Sequence, residues 1–270
     1  MIESPLTAQE YALFQRLIHQ VTGISLSESK QPLLVGRLQK RLRHYELSSF
    51  SQYYRMITSG EHPEELQMML DLITTNETYF FRESKHFAFL RDEVLPQARR
   101  GAKPFRVWSA ASSSGEEAYS IAMVLADYLP ERNWEIVGTD ISTQVLEKAR
   151  LGHYPLERVE GIPEKYLKRF CRKGVRSQAG TFLIDAELRK HVQFQHLNLT
   201  LPITASLGMF DVVFLRNVMI YFDMDTKRKV IHHLLPYLQP GGHLIIGHSE
   251  TLSGLNTDLV TVRPTIYRKP

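Results

Sequence analysis

A short apolar run at 105–110 passes through a turn of very small residues, Ala110-Ala-Ser-Ser-Ser-Gly115, into a helical pattern at 116–129. A second apolar run at 135–138 follows, within Val137-Gly-Thr-Asp140. Strand, tight turn, helix, strand is the repeating unit of a sheet with helices packed on it. The pattern continues with strand-like runs at 192–197 and 210–215 and helical patterns at 142–151 and 225–238. The expected class is therefore α/β. Leu238-Gln-Pro-Gly-Gly242 reads as a turn before a strand at 243–247, and 259–268 reads as a last strand. The short link between those two predicts a C-terminal antiparallel hairpin. One stretch interrupts the alternation. At 152–191, Pro155, Gly161, Pro163, Gly174 and Gly180 break any long helix and 181–184 reads as a strand, so an inserted β-subdomain is expected.

The first part of the chain has a different period. Thr7 followed by Glu10 makes a capping box, and Phe14, Leu17, Ile18 and Val21 recur at helical spacing until Gly23. From 29 to 45, Leu33, Leu34, Leu38 and Leu42 form an apolar stripe, while Lys30, Arg37, Lys40, Arg41 and Arg43 fall mainly elsewhere and give the helix a basic face. Helical patterns at 48–58 and 63–73 follow, separated by Ser59-Gly-Glu-His-Pro63. Residues 1–75 thus predict a small all-α domain ahead of an α/β domain at 76–270.

With 270 residues, 43% of them hydrophobic and 23% charged, the chain can bury a sizeable core. No run approaches the ~18 continuous apolar residues of a membrane span, and the start lacks the basic-then-apolar pattern of a signal peptide. A cytoplasmic protein is expected. Cys171 is the only cysteine, which rules out an intramolecular disulfide. The net charge of +4 favours an acidic partner only weakly.

The small-residue turn lets a backbone approach a ligand closely and aims helix N–H groups at it. Ser113 with Glu116, or Ser114 with Glu117, also satisfies a capping box, which any strand-to-helix junction could carry for stability alone. Asp140, about one βαβ unit further on, raises the ligand reading, because an acid there can accept two ribose hydroxyl hydrogen bonds. The turn lacks the G-x-G-x-x-G fingerprint, which disfavours a dinucleotide. An adenosine ligand without phosphates fits better. Upstream, Thr74-Thr-Asn-Glu-Thr-Tyr-Phe-Phe-Arg82 sets an arginine beside two phenylalanines, where a guanidinium can meet a carboxylate in a partly dry setting.

Five segments together resemble the CheR family, the S-adenosylmethionine-dependent methyltransferases of bacterial chemotaxis receptors: Thr74 to Arg82, Trp108-Ser-Ala-Ala-Ser-Ser-Ser-Gly-Glu-Glu117, Gly138-Thr-Asp-Ile-Ser142, Arg216-Asn-Val-Met-Ile-Tyr-Phe-Asp223 and Gly247-His-Ser-Glu250. The likeness spans nearly the whole chain. It implies a class I, Rossmann-like methyltransferase fold, with no further domain appended. It also implies that Asn76, Thr78 and Arg82 close over S-adenosylmethionine, that Glu117 (preferred to Glu116) and Asp140 hold it, and that Asn198 and Leu199 flank the adenine. Arg216, Asn217 and Tyr221 would line the far side, with Tyr221 toward the transferring methyl and Arg82 also near the acceptor. Arg82 and Tyr221 are thus the candidate catalytic pair. The run Ser112–Ser114 is richer in serine than the family's usual turn, and Glu77 occupies a variable position.

The implied reaction is glutamate methyl-ester formation on a chemoreceptor's cytoplasmic helices. A glutamate with an ordinary pKa near 4.3 is already ionised at neutral pH, so the absence of a His/Asp dyad is expected. The chemistry instead demands alignment and a dry cleft. The basic helix, through Lys30, Arg37, Lys40 and Arg41, is the expected contact for the receptor's acidic helices. The loop 172–180 is longer than the form associated with members that grip a receptor C-terminal peptide, which favours direct recognition of the receptor bundle. Aromatic interleaving and nucleic-acid modules are lacking, so no nucleic-acid partner is expected. The eleven histidines show no metal-ligand spacing, and no metal is expected. Tyr79, Phe80 and Phe81 read as core unless the family likeness gives them an exposed role. A second reading stays open, a regulatory module that binds an adenosine ligand without turnover.

Overall fold

In the computed structural model, which describes residues 5–98, 103–130 and 133–270, the central strands are buried on both faces, as a parallel sheet covered by helices requires. The first four residues of the expected helical domain lie outside the described residues.

Helices α1 (Ala8–Thr22), α2 (Gln31–His44), α3 (Phe50–Thr58) and α4 (Pro63–Ile73) come first. Thr7 and Glu10 form the expected capping box, and Gly23 closes α1 in the left-handed conformation. Phe14, Ile18, Leu34, Leu38, Leu42, Tyr53 and Met69 pack into a core shared by these four helices. A helical run through α5 (Lys85–Phe89), a π-turn (Leu90–Val94) and α6 (Leu95–Ala98) leads to the sheet.

Next in the chain come β1 (Phe105–Ser109), α7 (Glu116–Tyr128), β2 (Trp134–Asp140), α8 (Thr143–Leu151), β3 (His153–Pro155), α9 (Glu164–Phe170), β4 (Cys171–Lys173), β5 (Thr181–Ile184), α10 (Ala186–Arg189) and β6 (Val192–His196). The last elements are β7 (Phe210–Leu215), α11 (Met224–Leu234), β8 (Leu238–Ile246), β9 (Val260–Arg263) and β10 (Ile266–Arg268). The main sheet runs β6-β2-β1-β7-β8-β10-β9. Its first five strands are parallel, and β10 lies antiparallel to both β8 and β9. The expected α/β class holds. Between β1 and β7 the winding order reverses, and the crevice at the C-terminal ends of strands beside such a point is where open α/β sheets bind ligands. The segment at 152–191 carries a separate antiparallel sheet, β3-β5-β4.

Two local expectations are corrected. The Pro-Gly-Gly segment lies inside β8 as a bulge rather than before it, because the Gly241 N–H donates to the Lys269 carbonyl and the Lys269 N–H to the Gly242 carbonyl. The run 259–268 is two strands joined at Pro264-Thr265, where Thr265 has φ 65°. The expected antiparallel pairing of 243–247 with this run holds as β8–β10, and the tight turn adds a second antiparallel pair, β9–β10.

The basic face of α2 is also less free than its sequence implies. Arg41 makes a two-pronged ion pair with Glu65, at 2.8 and 2.5 Å, and Arg37 donates to the carbonyls of Ile73 and Thr74 at 2.8 and 3.2 Å. These arginines tie α2 to α4. Lys30, Lys40 and Arg43 remain exposed.

The helical part is fastened to the sheet close to the crevice. Gln67 Nε2 donates to the Ile141 carbonyl at 3.0 Å, and Asp71 accepts from the Thr143 N–H and hydroxyl at 2.9 and 2.8 Å. On the other side, the Ser25 N–H donates to the Tyr221 carbonyl at 2.9 Å, and His19 meets Asp223 at 2.8 Å. The end of α1 and the loop after it thereby become one wall of the crevice.

Candidate functional site

A single cavity collects every residue singled out from the sequence as a site residue: Asn76, Thr78, Arg82, Glu117, Asp140, Asn198, Leu199, Arg216, Asn217 and Tyr221. Its floor is the turn after β1. Gly115 takes φ 95° as the N-cap of α7, and a Cβ there would fall 2.9 Å from the Ala149 methyl and 3.1 Å from the Phe194 ring. Neither anticipated serine capping box forms. The helix begins at a left-handed glycine, which leaves both serines upstream of the N-cap and out of range of the first-turn amides. The Ser113 hydroxyl donates instead to the Asn76 carbonyl at 3.0 Å, and Ser114 donates to the Glu116 carboxylate at 2.7 Å. The first of these bonds ties the Thr74–Arg82 segment to the turn.

Asp140 ends β2 with its side chain buried. One carboxylate oxygen accepts the Ser113 N–H at 2.9 Å and the other the Ser142 N–H at 3.0 Å. Each oxygen keeps a lone pair for a further donor. Burial raises its pKa, and the surrounding backbone amides counter that only in part. Two hydroxyl donors supplied by a ligand would favour the ionised form, so the carboxylate suits a ribose.

The two adjacent glutamates part company. Glu117 lines the cavity, accepting from Ser109 at 2.7 Å and from Arg216 at 2.9 Å. Glu116 is buried beside Ser114, and the cavity wall does not include it. Burial raises the pKa of both, opposed by Arg216 at Glu117 and chiefly by the Ser114 hydroxyl at Glu116.

The two cavity arginines differ in kind. Arg216, with its side chain 2% exposed, spends four of its five N–H donors on Glu117, Glu83 and the Arg82 carbonyl. It is an internal brace. Arg82 is partly exposed, donates to the Glu77 carbonyl at 2.9 Å and lies over the Tyr79 ring, with its guanidinium carbon 5.7 Å from the ring centre. No carboxylate pairs with it among the described residues. Phe80 is fully buried and Phe81 partly so, whereas Tyr79 is exposed and lines the cavity.

Glu83 and Glu250 escaped the sequence reading. Burial works against ionisation of Glu83, but Arg216, the Asn217 amide and the His248 N–H outweigh it and hold its carboxyl below the ordinary range. Glu250 accepts from the backbone N–H of Asn217, Ile220 and Gly247 at 2.9, 3.3 and 2.7 Å. Together they fix Asn217, a non-glycine residue at φ 57°. Gly247 leaves room for this, since a Cβ there would lie 2.6 Å from the Asn217 side-chain nitrogen. Both acids stand next to or inside quoted motifs, but their role is to accept hydrogen bonds, which spacing does not encode. The wall formed by Thr22, Ile24 to Ser27 and Lys30 was likewise unforeseen.

Asn198 lines the cavity while its side chain holds the two halves of the chain together. Its amide donates to the Val21 carbonyl at 2.7 Å, and its oxygen accepts from the Thr200 N–H and hydroxyl at 3.0 and 2.7 Å.

The sequence matches two family models, "CheR methyltransferase, all-alpha domain" over residues 9–74 and "CheR methyltransferase, SAM binding domain" over 76–267. It is 40% identical over 265 residues to the chemotaxis protein methyltransferase of Escherichia coli (strain K12), covering 97% of this chain and 91% of that protein. It is 40% identical over 263 residues to chemotaxis protein methyltransferase 2 of Pseudomonas aeruginosa, covering 97% and 93%. The similarity to the chemotaxis protein methyltransferase of Borreliella burgdorferi is 37% over 273 residues, covering 98% and 95%.

Proposed function

We propose, on the premise that this chain belongs to the CheR methyltransferase family, that it esterifies glutamate side chains on the cytoplasmic helices of chemoreceptors. Its cofactor is S-adenosylmethionine. The buried Asp140 carboxylate and the small residues Ala110, Ala111 and Ser113 on the cavity wall fit the adenosine part of that molecule. The observation that carries the glutamate reading is the contrast between the arginines: Arg216 is ion-paired with Glu83 and Glu117, while Arg82 borders the same cavity without a carboxylate partner among the described residues. A substrate carboxylate complements that guanidinium in charge.

When bound, the cofactor supplies an electrophilic sulfonium methyl. Arg82 orients the acceptor carboxylate, and the Tyr221 hydroxyl, which has no hydrogen-bond partner among the described residues, takes part in positioning. An ionised carboxylate carries no proton to remove, so Glu117 and Asp140 serve binding rather than base catalysis. Arg82 must hold the acceptor loosely, because only interactions stronger in the transition state raise the chemical rate. Residues 1–75 and 76–270 divide the work in this reading, the helical part walling the cofactor cavity and meeting the receptor. No described helix is long and apolar enough to cross a membrane; in this reading the protein is cytoplasmic and reaches receptor arrays through its substrate.

Radiolabelled methyl transfer to receptor cytoplasmic fragments, with base-labile release as methanol, tests the acceptor. Label that stays bound in base would exclude a carboxyl ester. Cofactor binding with no transfer at all would favour the non-catalytic regulatory module.

A separate measurement addresses Asp140. Asp140→Ala should weaken S-adenosylhomocysteine binding by about 1–3 kcal/mol, the usual cost of losing hydrogen bonds to a buried charged group. Calorimetry reads this directly, with a melting curve to confirm folding, since the Ser113 and Ser142 amides also lose their acceptor. Wild-type affinity in a folded variant would remove Asp140 from the site.

A further inference from the structure

Behind the Arg216 brace, away from the cavity lining, lies a group of ligand atoms that the methyl-transfer reading does not use. His86 is 2% exposed, and its Nε2 lies 2.9 Å from the Thr265 hydroxyl. When that hydroxyl donates to the Pro264 carbonyl at 2.6 Å, it accepts from His86, and the imidazole proton then sits on Nε2. In that tautomer Nδ1 is a bare lone pair, and the atom is buried without a hydrogen-bond partner. It faces the Glu83 carboxylate oxygen at 3.4 Å, so two acceptors confront each other. The donors that reach Glu83, from Arg216, Asn217 and the His248 backbone, do not serve Nδ1. An unpartnered buried atom of this kind facing a carboxylate marks a place for a bridging ion or water.

His248 completes the group. The ligand atoms of Glu83, His86 and His248 lie within 4.8 Å of one another, and the two imidazole rings meet edge to face at 4.8 Å between centres. Two imidazoles and a carboxylate are a donor set for a borderline divalent ion. With metal–ligand bonds near 2.1 Å, two vertices of a tetrahedron stand about 3.4 Å apart, which is the separation of His86 Nδ1 from the Glu83 oxygen. Glu83 and Glu117 set two formal negative charges against the single Arg216 guanidinium, which offsets repulsion between that guanidinium and an ion. His248 is exposed, so one coordination position opens to water.

We propose that Glu83, His86 and His248 bind a zinc-class divalent ion through three protein ligands and a water. The ion joins the turn after Arg82, the start of α5 and the loop after β8. It shares Glu83 with Arg216 and so lies one carboxylate away from the transfer site. Magnesium and calcium, which prefer all-oxygen shells, are not suited to it.

The test is calorimetry on metal-stripped, tag-free protein with zinc sulfate, paired with cobalt(II) absorption spectra. Wild type should bind one equivalent of zinc and give the intense visible bands of a tetrahedral cobalt site, and magnesium should give no heat. His248→Ala removes an exposed ligand without disturbing the core. It should lower zinc affinity by at least about 100-fold, beyond the usual loss for a residue that only supports a ligand, and abolish the cobalt bands. Absence of saturable zinc binding in wild type would overturn the proposal, leaving the gap to a bridging water. Unaltered binding in a folded His248→Ala protein would place the ion elsewhere and overturn it equally.

Discussion

Arg82→Ala is expected to slow methyl transfer by at least about 100-fold while changing S-adenosylhomocysteine affinity by less than about threefold. The guanidinium is partly exposed at the cavity, held by the Glu77 carbonyl and the Tyr79 ring, and carries no internal ion pair among the described residues. Its removal leaves no buried charge stranded, so stability should change little. What is lost is the alignment of the incoming carboxylate, a term that enters the rate and not the cofactor's affinity. Arg82→Lys should recover only part of the activity, because an ammonium keeps the charge but lacks the planar fork. Tyr221→Phe should lose less than Arg82→Ala. Single-turnover transfer and calorimetry on the same preparations separate the two quantities. Equal losses in both would make Arg82 a cofactor ligand and remove the main support for a carboxylate acceptor.

Much of the fold was legible because its signals are local. The Thr7–Glu10 capping box, the Gly23 stop and the strand-turn-helix at 105–129 each depend on residues within a turn or two of one another, and the structure realises them. The Pro-Gly-Gly bulge was misread because its backbone groups find partners on Lys269, across the sheet. Arg37 and Arg41 were misread for the same reason. A basic helix face looks solvated until the acid or carbonyl that claims it is known, and Glu65 and Ile73 belong to a different helix.

The cavity was legible through motifs that converge in space. Residues as far apart as Asn76 and Tyr221 line one crevice because β1, β2 and β7 end side by side at the point where the winding reverses. Glu83 and Glu250 act on residues already named, with no chemistry of their own at the substrate. Their importance follows from the donors they collect, and only three-dimensional proximity reveals those.

Arg41→Ala should destabilise the protein by about 3–5 kcal/mol, the usual consequence of removing one partner from a buried ion pair. Glu65 is 2% exposed and accepts from Arg41, Tyr45 and Tyr53, the two tyrosines at 3.0 and 2.7 Å. Burial opposes its ionisation, but these three partners outweigh burial and hold its carboxyl below the ordinary value of 4.5. A depressed carboxyl contributes stability that is fully present above its unfolded pKa and lost as pH falls through its folded pKa. Wild type should therefore lose this contribution only below about pH 4.5. The deficit of Arg41→Ala should be greatest at neutral pH and shrink on acidification, because protonation neutralises the stranded carboxylate. Denaturant titrations of both proteins at neutral and acid pH check this, and a deficit independent of pH would assign the loss to packing of the arginine stem instead. The same geometry determines how receptor capture should be probed. A reversal at Arg41 would weaken receptor methylation through unfolding alone, whereas Lys40→Glu with Arg43→Glu changes exposed charges only. That double variant should melt like wild type, raise KM for receptor and reduce its salt dependence. Unchanged KM in the stable double variant would remove the α2 surface from receptor capture.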